Sequence, residues 1–150
     1  MHMQSNLGSF KIIPATDDRG NPDAGRLEFS FTGTVLISKL DGKATVSEGV
    51  RKEFDDLDRV VFHGTGSIVI DGKWRAVQWF GGDMEAVWYG RGIARMVGEF
   101  DRNLETGNYW FDDPVSKQSW MTQIREIHLP QRQFGSNVVP KDRGSGDGSG

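Results

Sequence analysis

Three glycine-containing pairs constrain this chain most, because each separates two runs that alternate like β-strands. They are Asp41-Gly42, Asp71-Gly72 and Gly81-Gly82. Asp-Gly suits a type I′ turn, whose two central residues need positive φ, and such turns connect the strands of hairpins. The pairs therefore predict tight antiparallel hairpins.

Strict alternation supports the strands themselves. In the run 27–37, Leu27, Phe29 and Phe31 fall on one side, and polar residues such as Glu28 and Ser30 fall on the other. A period of two is typical of a strand buried on one face. Residues 43–54 fit either a strand or a helix that a capping box begins, and we favour the strand because the preceding Asp-Gly turn needs a partner.

Together these signals predict an all-β fold, an antiparallel up-and-down β-barrel of about eight strands, because a closed meander removes exposed edges. The barrel domain is expected over residues 9–129. Residues 1–8 are expected to be a frayed N-terminus, and residues 130–150 a flexible C-terminal tail. The Gly/Ser-rich end of that tail has too little apolar area to offset its ordering entropy.

Composition excludes several classes of function. The 150 residues carry a net charge of −3 and include no Cys, which removes disulfides, thiolate zinc ligands and a thiol nucleophile. The chain has no basic stripe of the kind that binds nucleic acid, and no apolar run long enough to span a membrane. The first residues contain no apolar core of a signal peptide, so a cytoplasmic location is expected. The sequence predicts neither a cofactor nor a bound metal, because only His63 and His128 accompany scattered carboxylates.

Two-residue turns would also fix a register. They place Gly64 opposite Trp79, Ile68 opposite Arg75, and Gln78 opposite Glu85. The first of the resulting faces contains Phe62, Gly64, Gly66, Ile68, Ile70, Val77, Trp79, Met84, Ala86, Trp88, Gly90, Gly92, Ala94, Met96 and Phe100. The second contains His63, Thr65, Ser67, Gln78, Glu85, Tyr89, Arg91 and Arg95.

The first face is the better core, although its missing side chains at glycine could also leave a cavity. The second face has two interpretations. It is either an outer surface that an oligomer buries, where aromatic and Arg residues are enriched, or the lumen of the barrel. In the lumen, His63, Glu85, Tyr89 and Arg91 would be the catalytic acids, bases and charge-stabilising groups.

The aromatic residues are the candidates for binding a flat or apolar ligand. The proposed ligand-binding residues are Trp74, Gln78, Trp79, Phe80, Trp88, Met96, Trp110 and Trp120. For each Trp the alternative to ligand binding is a structural role, in which the indole fills the hydrophobic core.

The length, the strand count and glycine-rich strands such as Gly64-Thr65-Gly66 and Gly90-Arg91-Gly92 resemble the allene oxide cyclase and dirigent group of calycin-type barrels, over about residues 26–128. The resemblance implies a barrel that steers the cyclisation or coupling of an apolar molecule without a cofactor, and it implies trimers. No catalytic residue is carried over from that group.

We therefore expect a small-molecule barrel, a cofactor-free cyclase, isomerase or lyase with an apolar or aromatic substrate, in a homo-oligomer (dimer or trimer). The alternative is a non-catalytic ligand-binding or oligomeric interaction module. The catalytic hypothesis requires at least two of its four candidate residues inside one enclosed pocket.

Overall fold

A computed structural model describes residues 1–98, 107–111, 117–119 and 126–129, which form one antiparallel sheet and contain no helix. Ten strands lie in these residues. They are β1 (His2–Pro14), β2 (Gly25–Ser38), β3 (Asp41–Val46), β4 (Val50–Asp55), β5 (Arg59–Lys73), β6 (Ala76–Tyr89), β7 (Gly92–Gly98), β8 (Asn108–Trp110), β9 (Gln118–Ser119) and β10 (Glu126–Leu129). The all-β antiparallel prediction is confirmed.

The strand order differs from a meander. Across the sheet it runs β10-β7-β1-β6-β2-β5-β3, with β4 beside β5, β8 beside β1, and β9 beside β8. Strand β2 therefore separates β5 from β6, although only Trp74 and Arg75 join those two strands in the chain. The up-and-down connectivity and the β5–β6 hairpin predicted from the sequence are both wrong.

The sheet coils on itself, and this explains the short link. Ser38 pairs with Arg59 on one side and with Ala76 on the other. Neighbouring strands lie about 4.8 Å apart, so Arg59 and Ala76 are only about 10 Å apart and head in the same direction. The chain between them has made a full turn. Ile12 repeats the arrangement between Val77 and Ala94.

Strands β3 and β4 are two halves of one interrupted strand, since both pair antiparallel with β5. The interruption is fastened by Ser47, whose N–H donates to the Ser67 carbonyl at 2.9 Å and whose Oγ accepts from the Ser67 N–H at 2.9 Å. Residues 43–54 are therefore extended on both sides of this interruption, as favoured from the sequence, and the helical alternative is wrong.

The glycine pairs do not form the predicted turns. Asp41-Gly42 lies in β3, Asp71-Gly72 in β5, and Gly81-Gly82 in β6. Instead, Gly8, Gly81, Gly33 and Gly64 stand opposite one another across β1, β6, β2 and β5. A Cβ on Gly33 would lie 2.1 Å from the Phe80 carbonyl oxygen, so the strands bend together along a line where side chains do not fit.

The predicted register fails with the turns. Gly64 lies opposite Gly33, and Ile68 opposite Phe29. Trp79 lies between Phe10 and Val35. The pairing of Gln78 with Glu85 is also wrong, because both residues belong to β6.

The division into two faces nevertheless holds. Large side chains of the first face, including Phe62, Ile68, Trp79, Trp88 and Met96, are buried in one hydrophobic cluster on the inside of the coil. Second-face residues such as His63 and Glu85 are exposed on the outside. Phe100 lies outside the described residues. The lumen interpretation of the second face is therefore wrong.

The N-terminal residues belong to the sheet. Met1 and Met3 are each 1% exposed, and the Met1 amino group donates to the Trp88 carbonyl at 2.8 Å. Residues 2–8, which the sequence analysis leaves outside the domain, thus begin β1. Hydrogen bonds among the described residues do not join the two edges of the sheet, which are β10 at one end and β3 with β4 at the other.

Candidate functional site

The inside of the coil is lined by aromatic side chains from four neighbouring strands. Phe10 lies between Trp79 and Met96 across the sheet, and Val35 and Phe62 continue the same row. The Phe10 ring centroid is 5.8 Å from that of Trp79 and 5.3 Å from that of Phe29. Offset and edge contacts of this kind are the arrangements that aromatic rings favour.

Two indoles in this interior have an unusual hydrogen-bonding state. Trp74 and Trp79 are both 0% exposed, and neither indole Nε1 has a hydrogen-bond partner among the described residues. Buried polar groups in proteins are almost always paired, so each unpaired donor requires an explanation. The interior therefore presents two N–H groups that find no acceptor in the described part of the chain.

The Trp88 indole packs against the backbone of two glycines. A Cβ on Gly90 would lie 2.7 Å from the Trp88 Nε1, and one on Gly25 would lie 3.6 Å from it. The indole therefore lies directly against the chain where β6 ends and β2 begins. The same Gly25 position is 3.5 Å from the Trp74 Cη2, so both indoles meet the start of β2.

Tyr109 is a buried polar residue that the sequence analysis did not select. It is 4% exposed, its hydroxyl donates to Gln118 Oε1 at 3.0 Å, and burial raises its pKa. The sequence gives little indication that Tyr109 is buried, because β8 has only three residues, Asn108–Trp110. A strand this short shows no alternation of apolar and polar residues from which the inward-facing positions could be predicted.

The predicted catalytic residue His63 lies on the outer face. Its Nδ1 is 2.8 Å from Thr34 Oγ1, and the pair is exposed. Across the sheet His63 stands opposite Thr34 and Arg51. An imidazole in that position contacts solvent and β4, and it does not contact the interior.

Glu85, Tyr89 and Arg91 are also outside. Glu85 stands opposite Gln4 and Ser30, and Tyr89 is 38% exposed. The Arg91 guanidinium lies 2.9 Å from the Asp23 carboxylate, in a half-exposed ion pair. The four predicted catalytic residues therefore do not share a pocket, and the requirement of the catalytic hypothesis is not met by the described residues.

Some of the predicted ligand-binding residues lie together. Trp74, Trp79, Trp88 and Met96 are at most 1% exposed and belong to the interior cluster. Gln78 and Phe80 point to the outer face, where Phe80 is 49% exposed. Trp120 lies outside the described residues.

Trp110 borders a separate groove on the outer face. This groove has a volume of about 380 Å³, and Glu28, Glu85 and His2 are among its lining residues. The rings of His2 and Trp110 stack with centroids 5.0 Å apart. Trp110 therefore does not belong to the same site as the interior indoles.

The described residues contain no group of three or more His, Cys, Asp or Glu side chains placed to hold a metal ion. They also contain no helix with the length and apolar character needed to cross a membrane. Compared with known proteins, no family model matches the chain, and neither a curated protein nor a solved structure matches it significantly.

Proposed function

We propose that the coiled sheet is the wall of a β-barrel that binds one small, largely apolar molecule in its aromatic interior. One observation carries the proposal: the Trp74 and Trp79 indole N–H groups are fully buried and lack an acceptor among the described residues. An unpaired buried donor costs about 1–3 kcal/mol. A ligand oxygen in contact with either indole would remove that cost.

The interior also limits the chemistry of the ligand. Ser5 and Asn108 are the only buried residues of the described chain classed as polar or charged, so no buried Lys, Arg, Asp or Glu offers a counter-charge. The Met1 ammonium is also buried, but it already donates to the Trp88 carbonyl, so an ionised ligand would lose most of its hydration without compensation. The expected ligand is therefore uncharged, with an apolar body and a carbonyl or ether oxygen.

Binding without catalysis is the version that these residues favour. His63, Glu85, Tyr89 and Arg91 lie on the outer face, so they cannot transfer a proton to a molecule in the interior. Tyr109 is the one buried side chain of the described residues that can ionise, and burial raises its pKa. Turnover by a cyclase, isomerase or lyase would therefore depend on shape and on a single weak acid.

The test compares two probes that differ in one oxygen. The chain has five Trp, and each gives one indole signal in a ¹⁵N-labelled NMR sample; Trp→Phe variants assign them. 2-Nonanone is expected to shift the Trp74 or Trp79 signal, and nonane is expected to bind about fivefold more weakly, since one hydrogen bond contributes about 1 kcal/mol.

Trp110 provides the internal control, because its indole lies at the outer groove. A ketone that shifts Trp110 but neither Trp74 nor Trp79 would overturn the proposal. So would equal affinity for ketone and alkane, because the unpaired donors would then have no part in binding.

A further inference from the structure

The outer groove beside Trp110 lies on a row of residues that crosses four strands, β8, β1, β6 and β2. In the sheet Trp110 pairs with His2, His2 with Val87, and Val87 with Glu28. All four residues line the groove. Because neighbouring strands lie about 4.8 Å apart, the backbones of His2 and Glu28 are about 10 Å apart, with only the short side chain of Val87 between them. The groove therefore lies above Val87, between an imidazole and a carboxylate.

The His2 imidazole forms a flat wall of this groove. It stacks on the Trp110 indole with the ring centroids 5.0 Å apart and the ring planes 9° apart. Lys117 Nζ lies 4.9 Å from the centroid of the same indole, and Lys117 directly precedes β9, the neighbour of β8 on the side away from β1. The indole is thus held between Lys117 and His2, and the imidazole face turned away from Trp110 borders the groove. A planar ligand ring would extend this stack.

The carboxylates of the groove favour a cation. Glu28 and Glu85 line it, and the described lining residues include no Lys or Arg. The Arg26 guanidinium is 2.6 Å from Glu28, but it is also 2.6 Å from Asp71, so two carboxylates share one cation. Glu85 makes no ion pair or hydrogen bond within the described part of the chain. Its carboxylate is therefore available to N–H donors of a bound cation, in the stronger, charge-assisted kind of hydrogen bond.

We propose that this groove binds a planar organic cation, such as an arylamidinium or an arylguanidinium ion. The ring of the ligand lies against the His2 imidazole, and its N–H groups donate to the Glu85 carboxylate. The volume of about 380 Å³ is within the range of small-molecule sites. This site is separate from the aromatic interior, which lies on the other face of the sheet and is expected to bind an uncharged molecule.

Benzamidine and benzamide test the role of charge, because they have nearly the same shape and only benzamidine is a cation at neutral pH. In ¹⁵N-labelled protein, benzamidine is expected to shift the Trp110 indole signal to saturation and to leave the Trp74 and Trp79 signals in place. Benzamide is expected to bind several-fold more weakly. Equal affinities for the two compounds, or a Trp110 signal that does not move at millimolar benzamidine, would overturn the proposal. Neither outcome bears on the interior site, which the Trp74 and Trp79 signals report.

Substitutions at Glu85 and His2 separate the two contacts. Glu85→Gln keeps the size of an exposed side chain and removes its charge, so it is expected to weaken benzamidine several-fold and to leave benzamide unchanged. Glu53→Gln is the matched control, because Glu53 is exposed on β4 and does not line the groove. His2→Ala removes the stacking surface and is expected to weaken both compounds alike. Unchanged benzamidine affinity in Glu85→Gln would refute the carboxylate contact, and unchanged affinity for both compounds in His2→Ala would refute the stack.

Discussion

Gly42 and Gly72 lie directly opposite each other in β3 and β5, and neither has room for a side chain. A Cβ on Gly72 would lie 2.5 Å from the Asp41 carbonyl oxygen, and one on Gly42 would lie 2.1 Å from the Asp71 carbonyl oxygen. The two Asp-Gly-Lys segments that appear to mark separate hairpins in the sequence are therefore partners in one ladder.

This pairing predicts a large effect for Gly72→Ala. The position has a φ of 129° as well as the backbone clash, so the variant is expected to lose about 3 kcal/mol or more of unfolding free energy. Gly20→Ala is the matched control, because Gly20 has a φ of 83° but open space around it. It is expected to lose about 1 kcal/mol, the cost of the left-handed backbone alone. Urea denaturation measures both, and equal losses would show that the close approach is unimportant.

The alternation of apolar and polar residues predicted correctly which side chains face the inside of the sheet, but it did not predict which strands pair. Whether a side chain points in or out follows the alternation at i±2. In β6 this alternation shifts by one residue between Phe80 and Met84, so Trp79 lies inside and Glu85 outside, as predicted, although the register is wrong. Strand pairing instead depends on where the sheet bends, and a glycine pair serves a bend as well as a turn. The short Trp74-Arg75 link between β5 and β6 carried no turn signal.

A usable signal was present in the spacing of glycines and large apolar residues. The segments 8–12 and 33–37 begin with Gly and continue with alternating apolar residues, and 60–64 and 77–81 show the same pattern in reverse. These four segments lie side by side in the sheet. Comparing the segments 8–12 and 33–37 with the reversed segments 60–64 and 77–81 would have aligned the antiparallel strands. No sequence pattern could predict that the Trp74 and Trp79 N–H groups lack an acceptor among the described residues, because that depends on packing.

The exposed position of His63 predicts that its removal leaves ligand binding intact. Its imidazole is hydrogen-bonded to Thr34 on the outer face, so His63→Ala is expected to bind 2-nonanone with unchanged affinity. Trp74→Phe and Trp79→Phe each keep an aromatic ring but lose the N–H, and the variant at the indole whose signal 2-nonanone shifts is expected to bind about fivefold more weakly. Titration calorimetry compares the variants, and a loss of affinity in His63→Ala equal to that in this Trp variant would contradict the interior site.

Acid is expected to destabilise the turn between β4 and β5, in which Leu57 is exposed. The backbone N–H groups of Asp58 and Arg59 donate to Asp56 and hold its pKa below the ordinary value. A carboxyl with a lowered folded-state pKa stabilises the fold above its unfolded pKa, and this stabilisation is lost as the pH falls through the folded value. Stability should therefore decline below about pH 4.

Asp56→Asn removes the titrating group, so its unfolding free energy is expected to fall less steeply than that of the unmodified chain over the same acid range. Urea denaturation at a series of pH values measures the two slopes. Asp17→Asn is a second instance, because the backbone N–H groups of Asn21 and Arg19 lower the Asp17 pKa in the same way. Parallel slopes for all three proteins would show that the capped carboxylates do not contribute.

Tyr109 is expected to make the fold sensitive to alkali. Burial raises its pKa above the ordinary value of 10.0, so the folded state holds the phenol proton more tightly than the unfolded state. The resulting stabilisation is complete below the unfolded pKa and is lost as the pH rises from about 10 through the folded value.

The chain has two Tyr, so Tyr89→Phe leaves one phenol whose ultraviolet titration reports Tyr109 alone. That titration is expected to have its midpoint above 10 in the folded protein and to return to about 10 in urea. A midpoint at or below the value in urea would show that Tyr109 is in contact with water, which would remove it from the inside of the coil.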